Sequence, residues 1–133
     1  MSYRNVHRSG LIAAFVACSV GLAAEADTIR IVEQCTAAAT IVVADTPASV
    51  PVYGKKATVR DVAVVLQDYV GRVTGVRLPL VSETAVPENA GTLILVGDTQ
   101  RGRALGVTPA GLPPEGYRIR SLPGCIAIVG ETT

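Results

Sequence analysis

The chain has 133 residues, with 12 Lys and Arg, 11 Asp and Glu, and a formal net charge of +1. This length is typical of one domain, and the near-neutral charge excludes a protein that binds nucleic acid through a strongly basic surface. Hydrophobic residues make up 49% of the chain and charged residues 17%, which excludes a disordered protein.

The N-terminus has the pattern of a secretory signal peptide. Basic residues precede the apolar run Leu11–Ala24, and Ala24 and Ala26 then form an Ala-x-Ala arrangement. The run is shorter and richer in Ala than a membrane span of about 20 strongly apolar residues. We therefore predict a signal peptide over residues 1–26 and a mature domain over 27–133 that is secreted or periplasmic. After cleavage we expect no membrane attachment; the alternative is an uncleaved N-terminal anchor.

Cleavage would leave a domain without the residue types on which much enzyme chemistry depends. The single His, His7, lies in the predicted signal peptide, and the chain has no Trp. Without His, a Ser-His-Asp or Cys-His arrangement and a His-ligated metal are excluded. The aromatic residues that remain are Tyr53, Tyr69 and Tyr117, too few for a platform that stacks on sugars or bases. We expect no catalytic residues, no cofactor and no metal site.

Two cysteines remain beyond the predicted cleavage site, Cys35 and Cys125. An oxidising compartment allows one disulfide between them. The alternative is two buried free thiols, and the spacing alone does not choose between these two states.

The first predicted elements are strands. Thr28–Val32 alternates polar and apolar residues, and Thr40–Ala44 is rich in β-branched residues, so the two are predicted to pair as a hairpin. Asp45–Lys56 contains Pro47 and Pro51 and is predicted to be a loop.

The clearest element is a helix that follows this loop. Thr58 and Asp61 have the spacing of a capping box, and Gly75 marks the end of the helix. We expect one apolar face of the helix to pack on a sheet. Its predicted members recur at helical spacing: Val62, Leu66, Tyr69, Val70 and Val73.

Two strands and a short helix are predicted next. Val76–Val81 is assigned to a sheet edge, because Pro79 lacks a backbone N–H. Thr92–Gly97 is continuously apolar, as expected for a central strand buried on both faces. Asp98 is predicted to cap a short helix over Thr99–Leu105.

The chain closes with a predicted hairpin of Tyr117–Arg120 and Cys125–Val129. The order of elements predicts an α+β fold, with a mixed sheet of about six strands and one main helix and a short helix packed on one face. One strong helix would leave the other face of the sheet poorly covered. We therefore expect an apolar patch among Leu93, Leu95, Ile126 and Ile128, marginal stability and possible self-association.

Several of these segments, taken in order, resemble a known accessory domain. They are Thr40–Val43, Val73–Leu80 with its Thr-Gly-x-x-Leu-Pro stretch, Leu93–Arg101, Pro114–Ile119 with its Glu-Gly-Tyr-x-Ile stretch, and Ile126–Gly130. Their order and spacing resemble the N-terminal domain that precedes the catalytic barrel in bacterial β-N-acetylhexosaminidases and α-glucuronidases. A similar domain precedes the glycoside-hydrolase-like body of large secreted proteins. The resemblance covers residues 28–130.

The resemblance implies an α+β domain that carries no catalytic residues and supports a glycoside-hydrolase-type barrel, normally in the same chain. The acids that cut the glycosidic bond lie in that barrel. In the family, a helix follows the last strand, and the present sequence ends at Thr133 before such a helix. The expectation is therefore a domain, residues 27–133, that is incomplete at its C-terminus. The alternative is a stand-alone secreted binding or adaptor domain.

Two patterns are candidates for chemistry within the domain itself. Asp98 and Glu115 are a candidate carboxylate pair for glycoside hydrolysis, but a helix cap and a strand start explain them more simply. The segment Gly97–Arg103 has the length of a phosphate-binding loop. It carries Arg103 and Ala104 where that motif requires Lys and Ser or Thr. Neither pattern predicts catalysis.

Overall fold

The computed structural model describes residues 28–45, 49–52 and 55–131. The predicted signal peptide, residues 1–26, and Tyr53 lie outside them. Within the described ranges, no helix has the length and apolar character that crossing a membrane requires.

A small hairpin opens the described chain. Strand β1 (Val32–Glu33) pairs antiparallel with β2 (Thr36–Ala37) across a turn in which Gln34 and Cys35 both have positive φ. The next strand, β3 (Ala39–Val43), lies in the main sheet with a parallel neighbour on each side. The predicted hairpin of Thr28–Val32 with Thr40–Ala44 is therefore wrong. The chain turns back at Gln34 and Cys35, so β1 pairs with β2, and β3 pairs with strands that lie much later in the sequence.

A second hairpin lies where a loop was predicted. Strands β4 (Ser49–Val52) and β5 (Lys55–Thr58) pair antiparallel and form a separate two-stranded sheet. Helix α1 (Val59–Thr74) begins directly at the end of β5. The paired strands therefore deliver the chain to the start of the helix.

The main sheet has five strands in the order β6-β3-β7-β9-β8. The four strands besides β3 are β6 (Leu80–Ser82), β7 (Thr92–Val96), β8 (Tyr117–Leu122) and β9 (Cys125–Gly130). Strands β6, β3, β7 and β9 are parallel, and β8 pairs antiparallel with β9 at one edge. The predictions of a central strand at β7, an edge strand near Pro79 and a terminal hairpin are confirmed. A 3₁₀ turn (Glu83–Ala85) follows β6, and a short helix, α2 (Gln100–Ala104), follows β7.

The predicted signals at both ends of α1 are confirmed. The Thr58 hydroxyl accepts from the Asp61 backbone N–H at 3.1 Å, and the Asp61 carboxylate accepts from the Thr58 N–H at 2.7 Å. This is a reciprocal capping box with Asp in place of the usual Glu. Gly75 ends the helix with a positive φ of 73°, a conformation that glycine adopts without steric cost.

The buried side of α1 differs from the predicted one. Val59, Ala63 and Gln67 are buried on the sheet, whereas Tyr69 is 64% exposed and Val73 is 83% exposed. The prediction that Tyr69 belongs to the core is wrong. The Gln67 side chain is satisfied in the interior because its amide donates to the Leu78 carbonyl oxygen at 2.6 Å, so a polar residue holds a core position.

The connections run in opposite directions along the sheet. The chain passes from β3 to β6 in one direction, and from β6 back to β7 and on to β8 and β9 in the other. Because parallel crossovers are right-handed, opposite directions place the connecting segments on opposite faces. Accordingly, α1 covers the face of Ile41 and Ile94. Val107, after α2, packs on the face of Leu95.

The α+β class, with a mixed sheet, one main helix and one short helix, is therefore confirmed. The expectation that both helices pack on one face is wrong, because the crossovers run in opposite directions and place α1 and α2 on opposite faces of the sheet. The expected lack of cover around Leu93 and Leu95 is also wrong, since Leu95 is fully buried. That face is closed by three loop residues and by the last residue of β8: Val86, Ala90, Val107 and Leu122.

Candidate functional site

The strand order reverses between β3 and β7, at the carboxyl ends of the parallel strands. Ligands of open α/β sheets bind at this position. A small cavity of 230 Å³ lies beside this position, at the carboxyl ends of β3 and β6 and next to the start of α1. Its lining residues come from the end of β3, the start of α1 and the end of β6, and most have short side chains: Val43, Ala44, Asp45, Thr58, Val59, Arg60 and Ser82.

Both helix starts at this strand end already hold a carboxylate of the chain. Asp61 accepts from the Thr58 N–H and hydroxyl, and these hydrogen bonds lower the pKa of Asp61. Glu83 accepts from the backbone N–H groups of Gln100 and Arg101 at 2.9 and 3.0 Å. Donors that bind phosphate groups in other α/β proteins are therefore engaged within the molecule.

Asp98 belongs to an ion pair rather than to a pair of acids. Arg103 donates to both of its carboxylate oxygens, one of them at 2.7 Å, and this interaction lowers the pKa of Asp98. The cap of α2 is Thr99, whose hydroxyl accepts from the Gly102 N–H, so the prediction of an Asp98 cap is wrong. Glu115 lies exposed in the turn before β8, with a positive φ of 61°.

The two predicted cysteines are free thiols in the structure. Cys35 is exposed in the turn between β1 and β2, and Cys125 is buried at the start of β9. A Cys35–Cys125 disulfide is therefore not formed, and the alternative of two buried thiols holds only for Cys125. Burial raises the pKa of the Cys125 thiol. No cluster of three or more metal-ligating side chains occurs among the described residues.

An apolar surface of the described residues begins on α1. Four of its apolar side chains recur at helical spacing and are exposed: Val62, Val65, Tyr69 and Val73. We call them the helix stripe. Each residue advances about 100° around a helix, so the stripe lies roughly a third of a turn from the buried side of α1.

The direction of the helix stripe follows from two contacts of α1. On the β6 side, Gln67 bonds to the Leu78 carbonyl oxygen. On the β7 side, Val59 lies so near Gly97 that a Cβ on Gly97 would be 2.6 Å from a Val59 methyl group. Going around α1 from Gln67 to Val59 and onward leads to the stripe. The stripe therefore points along the sheet toward β9 and β8.

A second apolar set lies on the strands that the stripe points toward. Ile128 pairs with Val96 and with Ile119, so these side chains share the face that α1 covers. Tyr117 is 73% exposed and Ile119 is 56% exposed. We call this set the strand floor, and the helix stripe and the strand floor together the open face. The members of the strand floor are Tyr117, Ile119, Ile126 and Ile128.

At one end the open face meets the first described residues. A groove of 590 Å³ runs between Ile29–Val32 and the last turns of α1, where Tyr69 and Val73 line it. Arg30 beside it pairs with Glu33 at 2.5 Å, and both side chains are largely exposed. The groove is thus apolar within and charged at its rim.

The apolar patch expected from the sequence included Ile126 and Ile128, which belong to the open face, and Leu93 and Leu95, which lie on the opposite face. The other members of the open face were not predicted, because Val62, Tyr69 and Val73 were assigned to the side of α1 that packs on the sheet. The alternation of Ile126 and Ile128 with Ala127 and Val129 was the available signal. It shows that β9 has apolar residues on both faces, and one long helix can cover only one of them.

Comparison of the chain with family models, with curated proteins and with solved structures finds no match in any of the three. The resemblance to the accessory domain of hexosaminidases and α-glucuronidases therefore has no support beyond the segments that suggested it.

Proposed function

We propose that this domain is a non-catalytic accessory module of a secreted carbohydrate-active enzyme. Its role is to pack against a glycoside-hydrolase-type catalytic barrel and support it. The proposal combines the sequence resemblance with the chemistry at the carboxyl ends of the strands and the exposure of the open face.

The strand ends support a role without chemistry. Asp61, Glu83 and Asp98 each accept hydrogen bonds from neighbouring groups of the domain. Their hydrogen bonds stabilise helix starts and an exposed ion pair. Retaining or inverting glycoside hydrolysis needs two carboxyl groups facing one scissile bond, one of them free to donate a proton.

The observation that carries the proposal is the open face. Monomeric proteins rarely expose a contiguous set of large apolar side chains, and such a set marks a contact with a partner. Here Tyr69, Val73, Tyr117 and Ile119 are each more than half exposed, on neighbouring elements of one side of the sheet. Packing on a second domain would remove this surface from water.

A reading-frame test addresses the partner directly. The DNA that follows codon 133 in the source genome should encode a barrel, in frame or after a single frameshift. Co-expression of that barrel with the chain should give a complex that gel filtration resolves. Absence of any barrel-encoding frame next to this gene would contradict the proposal.

An activity test addresses the lack of chemistry. The purified chain should not hydrolyse chromogenic N-acetylglucosaminide or glucuronide substrates. Asp98→Asn and Glu115→Gln should behave like the unchanged chain. Turnover that either variant abolishes would assign catalysis to the domain and overturn the proposal.

We also propose export with loss of the first 26 residues, on the Ala-x-Ala pattern. Mass spectrometry of the exported protein should find an N-terminus within a few residues of Asp27. Recovery of the chain with Met1 intact from the cytoplasm would contradict export.

A further inference from the structure

We infer that the free edge of β8 binds an extended acidic segment of a partner protein, which joins the main sheet as a further strand. The inference goes beyond the proposed function and does not depend on it. It is carried by the unpaired backbone groups of β8, by the arginines along this strand and by the contrast with the opposite edge of the sheet.

The register between β8 and β9 determines which backbone groups of β8 face away from the sheet. The Glu131 N–H donates to the Gly116 carbonyl oxygen at 3.0 Å, so these two residues form a hydrogen-bonded pair. In an antiparallel ladder such pairs alternate with pairs that are not hydrogen-bonded. The N–H and C=O groups of Tyr117, Ile119 and Ser121 therefore lie on the free edge.

A hydrogen bond on the other side of β9 supports this assignment. The Ile128 carbonyl oxygen accepts from the Gly97 N–H at 2.9 Å, so it points toward β7 and away from Ile119 on β8. Since β8 pairs with no described strand except β9, the Ile119 backbone groups have no partner among the described residues. An extended chain along this edge would bond to both groups.

The two edges of the main sheet differ in their protection against such pairing. At one edge, β6 has three residues and comes directly after Pro79. A short strand and a nearby proline both limit pairing at an edge. At the other edge, β8 has six residues without a proline, in an unbroken register with β9. The edge that can accept a strand is therefore β8.

The arginines of β8 have no acidic neighbour on β9. Arg118 lies opposite Val129, and Arg120 lies opposite Ala127. Arg118 donates to the Thr108 carbonyl oxygen at 2.7 Å, whereas Arg120 is exposed and has no hydrogen bond or ion pair with the described residues. A strand added at the free edge would place its own side chains beside both arginines. Acidic side chains there would form favourable cross-strand pairs.

The other side of β8 determines the alternate positions of the bound segment. Tyr117 and Ile119 project to the open face and are 73% and 56% exposed. Apolar side chains of an added strand would pack beside them. Because successive side chains of a strand point to opposite faces, the segment that fits β8 alternates acidic and apolar residues.

The same arginines argue against a second copy of this chain as the occupant. Antiparallel pairing of two β8 strands centred on Arg118, Ile119 or Arg120 places an arginine of one copy opposite an arginine of the other in each case. Like charges directly opposite each other destabilise a strand pair. The arginines therefore disfavour self-pairing and favour an acidic segment.

The test attaches such a segment to the chain. The tail Val-Glu-Val-Glu-Val-Glu-Val is fused after Thr133 through a flexible Gly-Ser linker of about 15 residues, whose mean span of about 20 Å matches the length of β8. The linker holds the tail at an effective concentration in the millimolar range. A second fusion carries Lys in place of every Glu of the tail.

Amide hydrogen exchange measured by NMR reports whether the tail adds to the sheet. The Glu tail should slow the exchange of the Ile119 and Ser121 N–H groups severalfold, and the Lys tail should not. The N–H groups of Arg118 and Arg120 already bond to β9, so their protection reports in every variant that the sheet is folded.

Reversal of one charge should reverse the preference for the tail. Arg120→Glu should reduce the protection that the Glu tail gives by about twofold or more and raise the protection that the Lys tail gives. Arg72→Glu is the matched control, because Arg72 is an exposed arginine on α1, away from β8. It should leave the effects of both tails unchanged.

Three results would overturn the inference. In the first, the Glu tail does not slow exchange at Ile119 and Ser121. In the second, the Glu and Lys tails protect these groups equally, which means that the arginines only block the edge. In the third, sedimentation of the chain without a tail shows a dimer in which the same groups are protected, which assigns the edge to a second copy. None of these results bears on the proposed contact with a barrel, which the reading-frame test addresses separately.

Discussion

The two faces of the main sheet are covered in different ways. On one face, which we call the closed face, Val42, Leu95 and Val129 are buried beneath loop residues and the short helix α2. The other face carries the only long helix of the described residues, yet Ile119 beside it is more than half exposed. The number of helices is thus a poor guide to how well a sheet is covered.

The difference comes from where the connections lie. On the closed face, the segments after β6 and after β7 both cross the sheet and contribute Val86 and Val107 to one cluster. On the other face, α1 lies over β3 and β6, at one side of the sheet. Two segments with little regular structure, spread over the strands, protect more surface than one long helix placed off centre.

The largest expected effect separates the two faces directly. Leu95→Ala should lower the free energy of unfolding by about 2–5 kcal/mol, because it leaves a cavity in a closed core. Ile119→Ala should lower it by less than about 1 kcal/mol, because most of that side chain is already in contact with water. Urea titrations of the two variants measure both values. Equal losses would mean that the open face is covered in solution.

Gly97→Ala tests the close contact between α1 and the residue that follows β7. A non-glycine residue at positive φ costs about 1–2 kcal/mol, and the added Cβ would also press on Val59. Gly111→Ala is the matched control, since Gly111 also has positive φ but has open space around it. Urea unfolding should show a larger loss for Gly97→Ala by about 1–3 kcal/mol. Similar losses for the two variants would mean that the contact with Val59 does not limit the residue at position 97.

Thr58→Ala tests how firmly α1 is held over its half of the sheet. Loss of the cap should lower the free energy of unfolding by about 1 kcal/mol. The pKa of Asp61 is lowered in the folded state, so its capping contribution is present above its ordinary pKa and is lost as pH falls through the folded value. The difference between Thr58→Ala and the unchanged chain should therefore shrink below about pH 4. A difference that stays constant to pH 2 would contradict this capping role.

The smallest effect concerns the ion pair at the strand ends. Arg103→Ala should lower the free energy of unfolding only slightly, because the Arg103 side chain is largely exposed, and added salt should reduce the difference. The pKa of Asp98 should rise toward its ordinary value in this variant, since Arg103 is the main cause of its lowering. NMR titration of the Asp98 carboxyl group measures this, with Arg120→Ala as the control. An unchanged pKa would assign the lowering to other groups.

The sequence predicted what depends on local chemistry. The capping box of Thr58 and Asp61, the stop at Gly75 and the terminal hairpin each involve residues close in the chain. The central strand β7 was predicted because both of its faces are apolar, a property that needs no knowledge of its neighbours.

It did not predict what depends on distant partners. Two sets of residues on α1 satisfy the same helical spacing, and only the sheet decides which is buried. Gln67 lies outside the apolar face predicted for the helix, yet its hydrogen bond to the Leu78 carbonyl oxygen makes it a core residue. The pairing of β3 likewise depends on strands far along the chain. The open face was predicted only through Ile126 and Ile128 for the same reason, since its extent depends on which strands α1 does not reach.

The two cysteines differ in exposure, so their rates of reaction with a thiol reagent should also differ. Cys35 lies exposed in a turn, so a thiol reagent should modify it at once in the native state. Cys125 is buried within the closed face and should react only when β9 separates from β7. With Cys18 replaced by Ser, the slow phase of thiol labelling would report the rate of opening of the sheet. The labelling rate of Cys125 thus measures how often the buried side of β9 becomes accessible to solvent.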